Sequence, residues 1–462
     1  MRISVALLFL ALLVSASPVH GQERDERRRR RPSHSSLDLT IDGFGISIGN
    51  SRGIDGLRLN FRDDHLEWVN GINFTIWKPR WNYDAEINGF ALGIYGPQAG
   101  WINGIAAGVG AVDVDRNMAG IGLGGLAFVS GGSLQGIAVG GLATVVERDI
   151  EGIGIGGLAT VTSGDVSGIG AGGLAFVADG RIEGIGLGGL ATVTQGSIAG
   201  IGLGGLATVA DGRVEGIAAG GLASVVQGDV TGISLGGLAA VTDGRVEGIS
   251  AGGLASVGAR SITGIGVGGL ASVVDGGVEG LSVGGLASVT GGPLRGLSVG
   301  GLASVVDGNA EGISFGGLAA VVSDDIVGMN VGGLAAVSRR LNGIGVGGLA
   351  VVAPRGIEGV ALSGWTVHST DHVKGVAVAG YLVESDHLEG LIIAGIRTRV
   401  YRSMTGVSIA GYNRIQGTQR GLTIGVYNRA HRLHGVQIGL LNYAGNNRAP
   451  FKWLPIVNMN LR

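Results

Sequence analysis

The chain has 462 residues, of which 95 are glycine and none is cysteine, and its formal net charge is -2 at pH 7. Glycine is about three times as frequent as usual, without the strict every-third-residue spacing of collagen. A net charge near zero gives no indication of nucleic-acid binding. Because cysteine is absent, disulfides are excluded, and stability must come from packing and backbone pairing.

The first residues have the pattern of an export signal. Met1 and Arg2 give a positive start, residues 3–16 are apolar, and small residues follow. An apolar stretch of about 14 residues is short for a membrane span. We therefore expect residues 1–21 to be a signal peptide that sends the protein to the cell surface, the outer membrane or the medium. Residues 22–36, which include five consecutive arginines, are expected to form a disordered basic tether.

Four of the six tryptophans and two of the seven tyrosines lie between positions 68 and 101. A terminal repeat needs something to cover its open core, so residues 37–103 are predicted to form an N-terminal cap with irregular repeats. A ligand-binding aromatic patch is the alternative. The aromatic residues concerned are Trp68, Trp77, Trp81, Tyr83, Tyr95 and Trp101.

A repeat dominates the rest of the sequence. The step Gly-Gly-Leu recurs every 16 residues from Gly124 to Gly332, and looser copies extend from about Gly56 to Gly435 with spacings of 14–18. Self-similarity at a fixed period indicates a solenoid or array, here with about 25 copies. The regular copies occupy residues 104–352, and residues 353–462 are expected to form irregular repeats and a C-terminal cap. Helix is disfavoured because each glycine costs up to about 1 kcal/mol there.

One copy predicts two short strands. In the copy that starts at Gly200, apolar residues alternate up to Leu203 and again from Ala207 to Val209, and Asp-Gly-Arg then marks a turn. Ile201, Gly204 and Leu206 match residues eight positions later, which suggests a half-repeat. We expect Gly204 to need a positive φ or a close approach between coils, and Thr208 to lie on the outer face.

These features predict an all-β fold, a glycine-rich parallel β-solenoid (β-roll) of about 25 coils with a period of 14–18, mostly 16, residues. A large antiparallel membrane β-barrel is the alternative. Residues 200–209 are long enough for one membrane-spanning strand, and the Asp-Gly-Arg segments could be the turns. The broken alternation at Gly204 and Gly205 counts against the barrel.

Two family resemblances support export and repetition. The central alternation Ile-x-Leu-Gly-x-x-Ala-x-Val resembles the β-roll head repeats of trimeric autotransporter adhesins, which implies a similar fold. The segments GLTIGVYN (421–428), GVQIGLLNYA (435–444) and LPIVN (454–458) resemble the leptospiral-type surface-repeat family. That resemblance implies an exported, repeat-built protein without an assigned activity. The central block departs from it, because Gly-Gly-Leu-Ala replaces Gly-Leu-Leu-Asn.

Two enzyme-like motifs occur in the repeats. The run from Gly120 fits the dinucleotide fingerprint G-x-G-x-x-G, which is meaningful only between a strand and a helix. The nucleophile pattern G-x-S-x-G occurs five times at repeat spacing, whereas a hydrolase needs one nucleophile. We interpret these serines as tolerated beside a turn and predict no catalytic residue, no cofactor and no enzyme activity. They are Ser234, Ser250, Ser282, Ser298 and Ser314.

Two other patterns could bind ligands. Facing histidines could hold a metal, but on an irregular polar part of the chain they are more typical of solvated surface, so no metal site is predicted. The group contains His368, Asp371, His372 and His387. A hydroxyl column after each Ala could form an ice-binding face, although Phe128, Phe176 and Ala240 interrupt it. That column contains Thr144, Thr160, Thr192, Thr208 and Ser224.

One leucine per copy is predicted to point away from the alternating core positions. These leucines either fold into the corners of the coils or form an apolar stripe that contacts another copy or a bilayer. The stripe contains Leu142, Leu158, Leu190, Leu206 and Leu222. The sequence thus favours an exported, non-catalytic surface repeat protein that acts as a structural spacer or an adhesion-like interaction surface. An outer-membrane barrel or pore protein is the alternative function.

Overall fold

The computed structural model describes residues 35–461, and every regular element in this range is a β-strand. The expected signal peptide and all but the last two residues of the expected tether lie outside the described residues. The chain divides into two compact units, unit 1 up to Gly131 and unit 2 from Gly132. Within the described range there is no helix with the length and hydrophobicity to cross a membrane.

Unit 1 is built from eight strands. The first two form an antiparallel hairpin, and from β2 to β7 each strand pairs in parallel with the next. The strands are β1 Ser36–Ile41, β2 Phe44–Gly49, β3 Gly53–Asn60, β4 Trp68–Thr75, β5 Glu86–Gly93, β6 Gln98–Gly108, β7 Ala111–Gly124 and β8 Ala127–Ser130.

Unit 2 contains the remaining strands, in which a long and a short strand alternate through the regular copies. They are β9 Leu134–Gly140, β10 Ala143–Val146, β11 Ile150–Gly156, β12 Ala159–Thr162, β13 Val166–Gly172, β14 Ala175–Ala178, β15 Ile182–Gly188, β16 Ala191–Thr194, β17 Ile198–Gly204, β18 Ala207–Ala210, β19 Val214–Gly220, β20 Ala223–Val226, β21 Val230–Gly236, β22 Ala239–Thr242, β23 Val246–Gly252, β24 Ala255–Gly258, β25 Ile262–Gly268, β26 Ala271–Val274, β27 Val278–Gly284, β28 Ala287–Thr290, β29 Leu294–Gly300, β30 Ala303–Val306, β31 Ala310–Gly316, β32 Ala319–Gly332, β33 Ala335–Gly347, β34 Ala350–Val352, β35 Ile357–Ser363, β36 Thr366–His368, β37 His372–Ala379, β38 Leu382–Ile424, β39 Tyr427–Ala444 and β40 Trp453–Asn460.

In the regular copies each strand pairs with the equivalent strand of the neighbouring coil. Gly200 aligns with Gly184 in the preceding coil and with Gly216 in the following one, so long strands stack on long strands. Short strands stack in the same way, as β16, β18 and β20 do. This confirms the predicted parallel β-solenoid, with about 24 turns of about 16 residues. The antiparallel alternative is wrong because only the terminal pairs β1–β2 and β39–β40 run antiparallel among the pairs of named strands in residues 35–461.

A column of glycines bends the long strand. Gly200 has a φ of +133°, and a Cβ on it would lie 2.2 Å from the carbonyl oxygen of Gly184. Ala199, Gly200 and Ile201 all lie outside the core, although strict alternation would put one of them inside. The chain therefore turns a corner here, which an L-residue with a side chain would strain.

Gly204 has a different role from the one that its spacing first suggests. Its φ is not in the left-handed region, so that expectation is wrong. A Cβ on Gly204 would lie 1.8 Å from the carbonyl oxygen of Ala207 in the same coil and 3.0 Å from the amide nitrogen of Thr192 in the preceding coil, which fits the expected close approach between coils. The proposed half-repeat is also wrong. Leu206 is exposed whereas Val214, eight residues later, is fully buried.

The core of each coil is thin and consists mainly of small residues. In the coil around Gly200 the inward positions are Ile198, Gly202, Gly204, Thr208 and Ala210. Neighbouring coils place equivalent residues directly above and below these positions. Stability therefore comes from stacked ladders, not from a wide hydrophobic core.

Thr208 lies inside the coil, which contradicts its predicted outer position. It is fully buried, and its Oγ1 donates a hydrogen bond to the carbonyl oxygen of Ala219 at 2.6 Å. Thr192 bonds to Leu203 in the same way, also at 2.6 Å. The reason is the corner at Gly205 and Leu206, where consecutive residues face outward and the alternation is shifted.

We expect Thr208→Val to destabilise the protein by about 1 kcal/mol, because the buried hydrogen bond is lost while the shape is kept. Thr231→Val is the matched control, since Thr231 lies exposed on a long strand. Urea unfolding followed by circular dichroism measures both variants. Equal midpoints for the two variants would show that the buried hydroxyl adds nothing.

Candidate interaction surface

A column of fourteen exposed leucines runs along unit 2, with one leucine at a corner of each successive coil. Each leucine is 45–54% exposed, so the predicted residues lie at the corners but keep their side chains outside. We call this column the leucine ridge. It consists of Leu142, Leu158, Leu174, Leu190, Leu206, Leu222, Leu238, Leu254, Leu270, Leu286, Leu302, Leu318, Leu334 and Leu349.

Backbone hydrogen bonds hold the ridge in line. The amide of Leu206 donates to the carbonyl oxygen of Leu190 at 2.7 Å, and Leu222 bonds to Leu206 in the same way at 2.7 Å. Strands that pair in this way are about 4.8 Å apart. The leucines therefore form a continuous row with fixed spacing.

A shallow apolar groove runs beside the ridge. Two glycines precede each ridge leucine, and a Cβ on Gly205 would lie 1.9 Å from the carbonyl oxygen of Gly189. The corner thus requires glycine, and no side chain of Gly205 stands between the exposed columns of Leu203 and Leu206. We call this space the glycine groove. Its volume is about 720 Å³ across the coils from Ile155 to Leu235, and its lining residues also include Ala171, Leu187 and Ala219.

Apolar side chains continue on both sides of the ridge. Leu203 is 39% exposed on the outer face of its long strand. On the other side, Ala207 and Val209 are half-buried on the outer face of the short strand. Monomeric soluble proteins rarely expose contiguous apolar patches of more than a few hundred Å². This surface is therefore the strongest candidate for an interaction site.

The ridge continues into the irregular coils with larger side chains. Trp365 follows Leu349 in the column and is 56% exposed. Its ring stacks on Tyr381 with 4.8 Å between centroids. Ile396, at 56% exposure, occupies the next level. The apolar column thus persists where the sixteen-residue period is lost.

A second edge of each regular coil is polar. Gln195 donates a hydrogen bond to Asp179 at 2.8 Å, and Gln227 donates one to Asp211 at 2.7 Å, both between neighbouring coils. Ion pairs such as Arg181–Glu183, at 3.1 Å, are exposed and contribute little to stability. We call this column of turns the polar edge.

The serines of the nucleophile-like motif lie inside the solenoid. All five are fully buried and lie two residues before the strand ends at the corner of their coil. Each forms a hydrogen bond with a serine on the facing short strand, at 2.9–3.0 Å. In later coils these contacts join into one chain of hydroxyls, Ser272, Ser282, Ser288, Ser298, Ser304 and Ser314.

The other patterns from the sequence are placed as follows. The hydroxyl column considered for ice binding is fully buried and cannot present a face to ice. Gly120 lies within β7, which is followed by another strand, so the helix required for a dinucleotide fingerprint is missing there.

In unit 1 the rings of Phe61 and Trp77 stack with 6.4 Å between centroids, and Arg116 lies 4.3 Å from the ring of Trp101.

The histidines of the irregular coils pair with individual neighbours. His372 lies 3.3 Å from Glu358 and 3.1 Å from Asp371, and His387 lies 2.6 Å from the Ser403 hydroxyl. Across residues 35–461 no three metal-binding side chains come together in a way that could hold an ion. The nearest partner of His368 is Glu384, at 3.7 Å.

Glu384 is held in its ionised form by its neighbours. Burial raises the pKa of Glu384, but hydrogen bonds from Tyr401 and Arg399 and the charges of Arg399 and His368 outweigh this, so its pKa lies below the ordinary value. The carboxylate accepts from Arg399 at 2.9 Å and from Tyr401 at 2.5 Å. A lowered pKa means that this cluster stabilises the fold above the ordinary carboxyl pKa and loses that contribution as the pH falls.

Two buried polar groups were missed by sequence reasoning. In unit 1, Arg58 is fully buried, pairs with Asp63 and donates to Asn73 at 2.9 Å. In unit 2, Asn413 donates to Asn428 at 2.8 Å and Asn428 donates to Asn442 at 2.7 Å, which forms an asparagine ladder. The recurring Asn in the C-terminal motifs was a usable signal for the ladder. Nothing in the repeat pattern pointed to Arg58.

Comparisons with protein-family models, with curated proteins and with solved structures gave no match to this chain. The resemblances to surface-repeat proteins and to autotransporter heads thus stay expectations from the sequence.

Proposed function

We propose that this protein is an exported, non-catalytic repeat protein that works at the cell surface or after release. In this proposal the solenoid is a spacer that presents one long interaction surface, in the manner of an adhesion protein. The observation that carries the proposal is the leucine ridge with its glycine groove, repeated on coil after coil of unit 2. Export rests on the signal-like pattern of residues 1–21.

The repeat architecture supports a binding role over catalysis. Catalysis requires several different groups at one point, whereas a column of equal residues offers the same group at every level. A long periodic surface instead suits many weak contacts made in parallel. The buried hydroxyls of the serine chain are used inside the core and are not offered to a substrate.

The test compares two variants of the tagged full-length chain in the cell that makes it. The ridge variant is Leu190→Lys/Leu206→Lys/Leu222→Lys. The edge variant, Ser163→Lys/Gln195→Lys/Gln227→Lys, adds the same charge at exposed positions of the polar edge. Both should fold, because a lysine at these exposed corners can keep its ammonium group in water.

We expect the wild-type protein and both variants to be exported without residues 1–21. The amount of protein bound to the cell surface is measured on intact cells with an antibody against the tag. It should fall about tenfold or more for the ridge variant and stay unchanged for the edge variant. Retention of the wild-type protein in the cytosol would refute export. Equal surface binding of the two variants would refute the role of the ridge.

A further inference from the structure

The leucine ridge and the glycine groove lie side by side on the same coils, so a single surface carries both a projection and a matching depression. We infer that a second copy of this chain covers it, with the leucine ridge of each copy in the glycine groove of the other. This inference rests on the proposed interaction role and names the partner. The groove is lined by Gly, Ala and Leu side by side, which suits an apolar side chain that enters from outside.

Contact between two ridges is a poorer fit. The leucines of one ridge follow each other at about 4.8 Å, the spacing of paired strands. That spacing leaves no gap into which leucines of a second ridge could insert. The groove, in contrast, has no side chain at the outward-facing Gly205, between the columns of Leu203 and Leu206. A ridge can therefore lie along the groove.

This fit also sets the symmetry of the pair. A two-fold axis parallel to the stacking direction of the coils places each ridge opposite the partner's groove. A two-fold axis perpendicular to that direction, in the plane of the interface, places ridge against ridge. Since most pairs of identical chains are two-fold symmetric, the two solenoids should run parallel, with the same coils side by side.

The surface is large enough for a stable pair. The eleven coils from Leu142 to Leu302, which precede Phe315 in the column beside the groove, give a length of about 53 Å at about 4.8 Å a coil, and four residues across the groove and ridge give a width of about 13 Å. Two such faces bury about 1,400 Å², within the roughly 1,200–2,000 Å² of stable protein interfaces.

Charge and composition favour a protein partner over a bilayer. Between residues 134 and 352 acidic residues outnumber basic ones, and this range contains neither Trp nor Tyr. Proteins that lie on membranes usually combine basic residues with Trp or Tyr anchors at the interface. Phe176 is buried and Phe315 is 42% exposed, so aromatic anchoring by this range is slight.

Sedimentation of the purified full-length chain tests the pairing. We expect a dimer at low micromolar concentration, and an affinity at least tenfold weaker for the ridge variant. A groove variant, Ala171→Phe/Ala219→Phe, fills the groove while adding apolar surface. It should also weaken dimerisation at least tenfold. It should fold, because Phe315 already occupies the same column. The edge variant should dimerise like the wild type, and circular dichroism checks the fold of all variants.

Crosslinking tests the orientation, since the chain has no cysteine of its own. Leu174→Cys and Leu318→Cys lie near opposite ends of the leucine ridge. With a short bis-maleimide reagent, each single variant should crosslink to itself. A mixture should give few crosslinks between position 174 and position 318. A predominance of mixed crosslinks would show antiparallel pairing and would overturn the ridge-in-groove arrangement.

Three results would overturn the second copy as partner. The first is a wild-type protein that stays monomeric up to about 100 µM. The second is dimerisation that is unchanged in both the ridge variant and the groove variant. The third is binding of the wild-type protein to phosphatidylcholine vesicles, with tighter binding by the groove variant. If the ridge variant nevertheless loses cell-surface binding, the proposed interaction role stands with a different partner. If the ridge variant loses dimerisation but keeps its binding to the cell surface, the inferred pairing is supported and the proposed role of the ridge at the cell surface is refuted.

Discussion

Deleting residues 200–215 should leave the protein folded, whereas deleting residues 208–215 should disrupt the neighbouring coils. The longer deletion removes one complete coil and joins Ala199 to Gly216, which restores both ladders. The shorter deletion removes most of the short strand β18 and keeps the long strand β17. Strands β16 and β20 would then face each other across about twice the usual 4.8 Å, with their backbone groups unpaired.

Thermal unfolding and limited proteolysis measure both deletions. We expect the sixteen-residue deletion to keep a melting temperature within a few degrees of the wild type, because each coil contacts its neighbours only. The eight-residue deletion should introduce protease-sensitive sites close to the junction. If both deletions behave alike, the coil is not the unit of folding and the ladder description is wrong.

Replacing Gly200 by alanine should destabilise the protein strongly, while the same change at Gly202 should be tolerated. At Gly200 the φ of +133° strains any L-residue, and the new Cβ would lie 2.2 Å from a backbone oxygen. The strained backbone alone costs about 1–3 kcal/mol. At Gly202 the nearest atom is the Cδ1 end of Ile198, at 2.8 Å, and the equivalent residue of the next coil is already Ala218.

Urea unfolding compares these two alanine variants within one coil. The midpoint for Gly200→Ala should fall clearly, and the midpoint for Gly202→Ala should stay near the wild-type value. Both changes add one methyl group two residues apart, so general effects of alanine are matched. A similar loss at both positions would mean that crowding of the thin core, not the bend of the strand, makes glycine necessary.

The sequence analysis predicted the fold correctly because a strict period constrains neighbours directly. Sixteen-residue spacing aligns Gly184, Gly200 and Gly216, and only parallel stacking brings them together in one column. Thr208 was placed on the wrong face because alternation was counted straight through the glycine pair. The corner at Gly205 and Leu206 shifts the alternation, and the sequence pattern does not show how many residues a corner uses.

The candidate surface was only partly visible in the sequence. The leucine column could be read from its period, but whether it folds inward depends on the corner geometry at Gly204 and Gly205. The groove arises from side chains that glycine lacks, so it has no residue signal of its own. Arg58 could not be predicted as buried, because a lone arginine in an irregular coil is usually solvated and its partner Asp63 lies in a loop.

The sameness of the regular coils affects how the chain can fold. Between Leu134 and Gly332 every long strand finds the same partner one coil away and again two coils away. A folding chain can therefore close with sixteen residues looped out, and a coil of one molecule can add to the stack of another. Coils with unlike contacts do not accept such exchange, since Trp365 stacks on Tyr381 and Asn413 bonds to Asn428. The irregular C-terminal coils thus fix the register of the stack and disfavour slipped and intermolecular pairings.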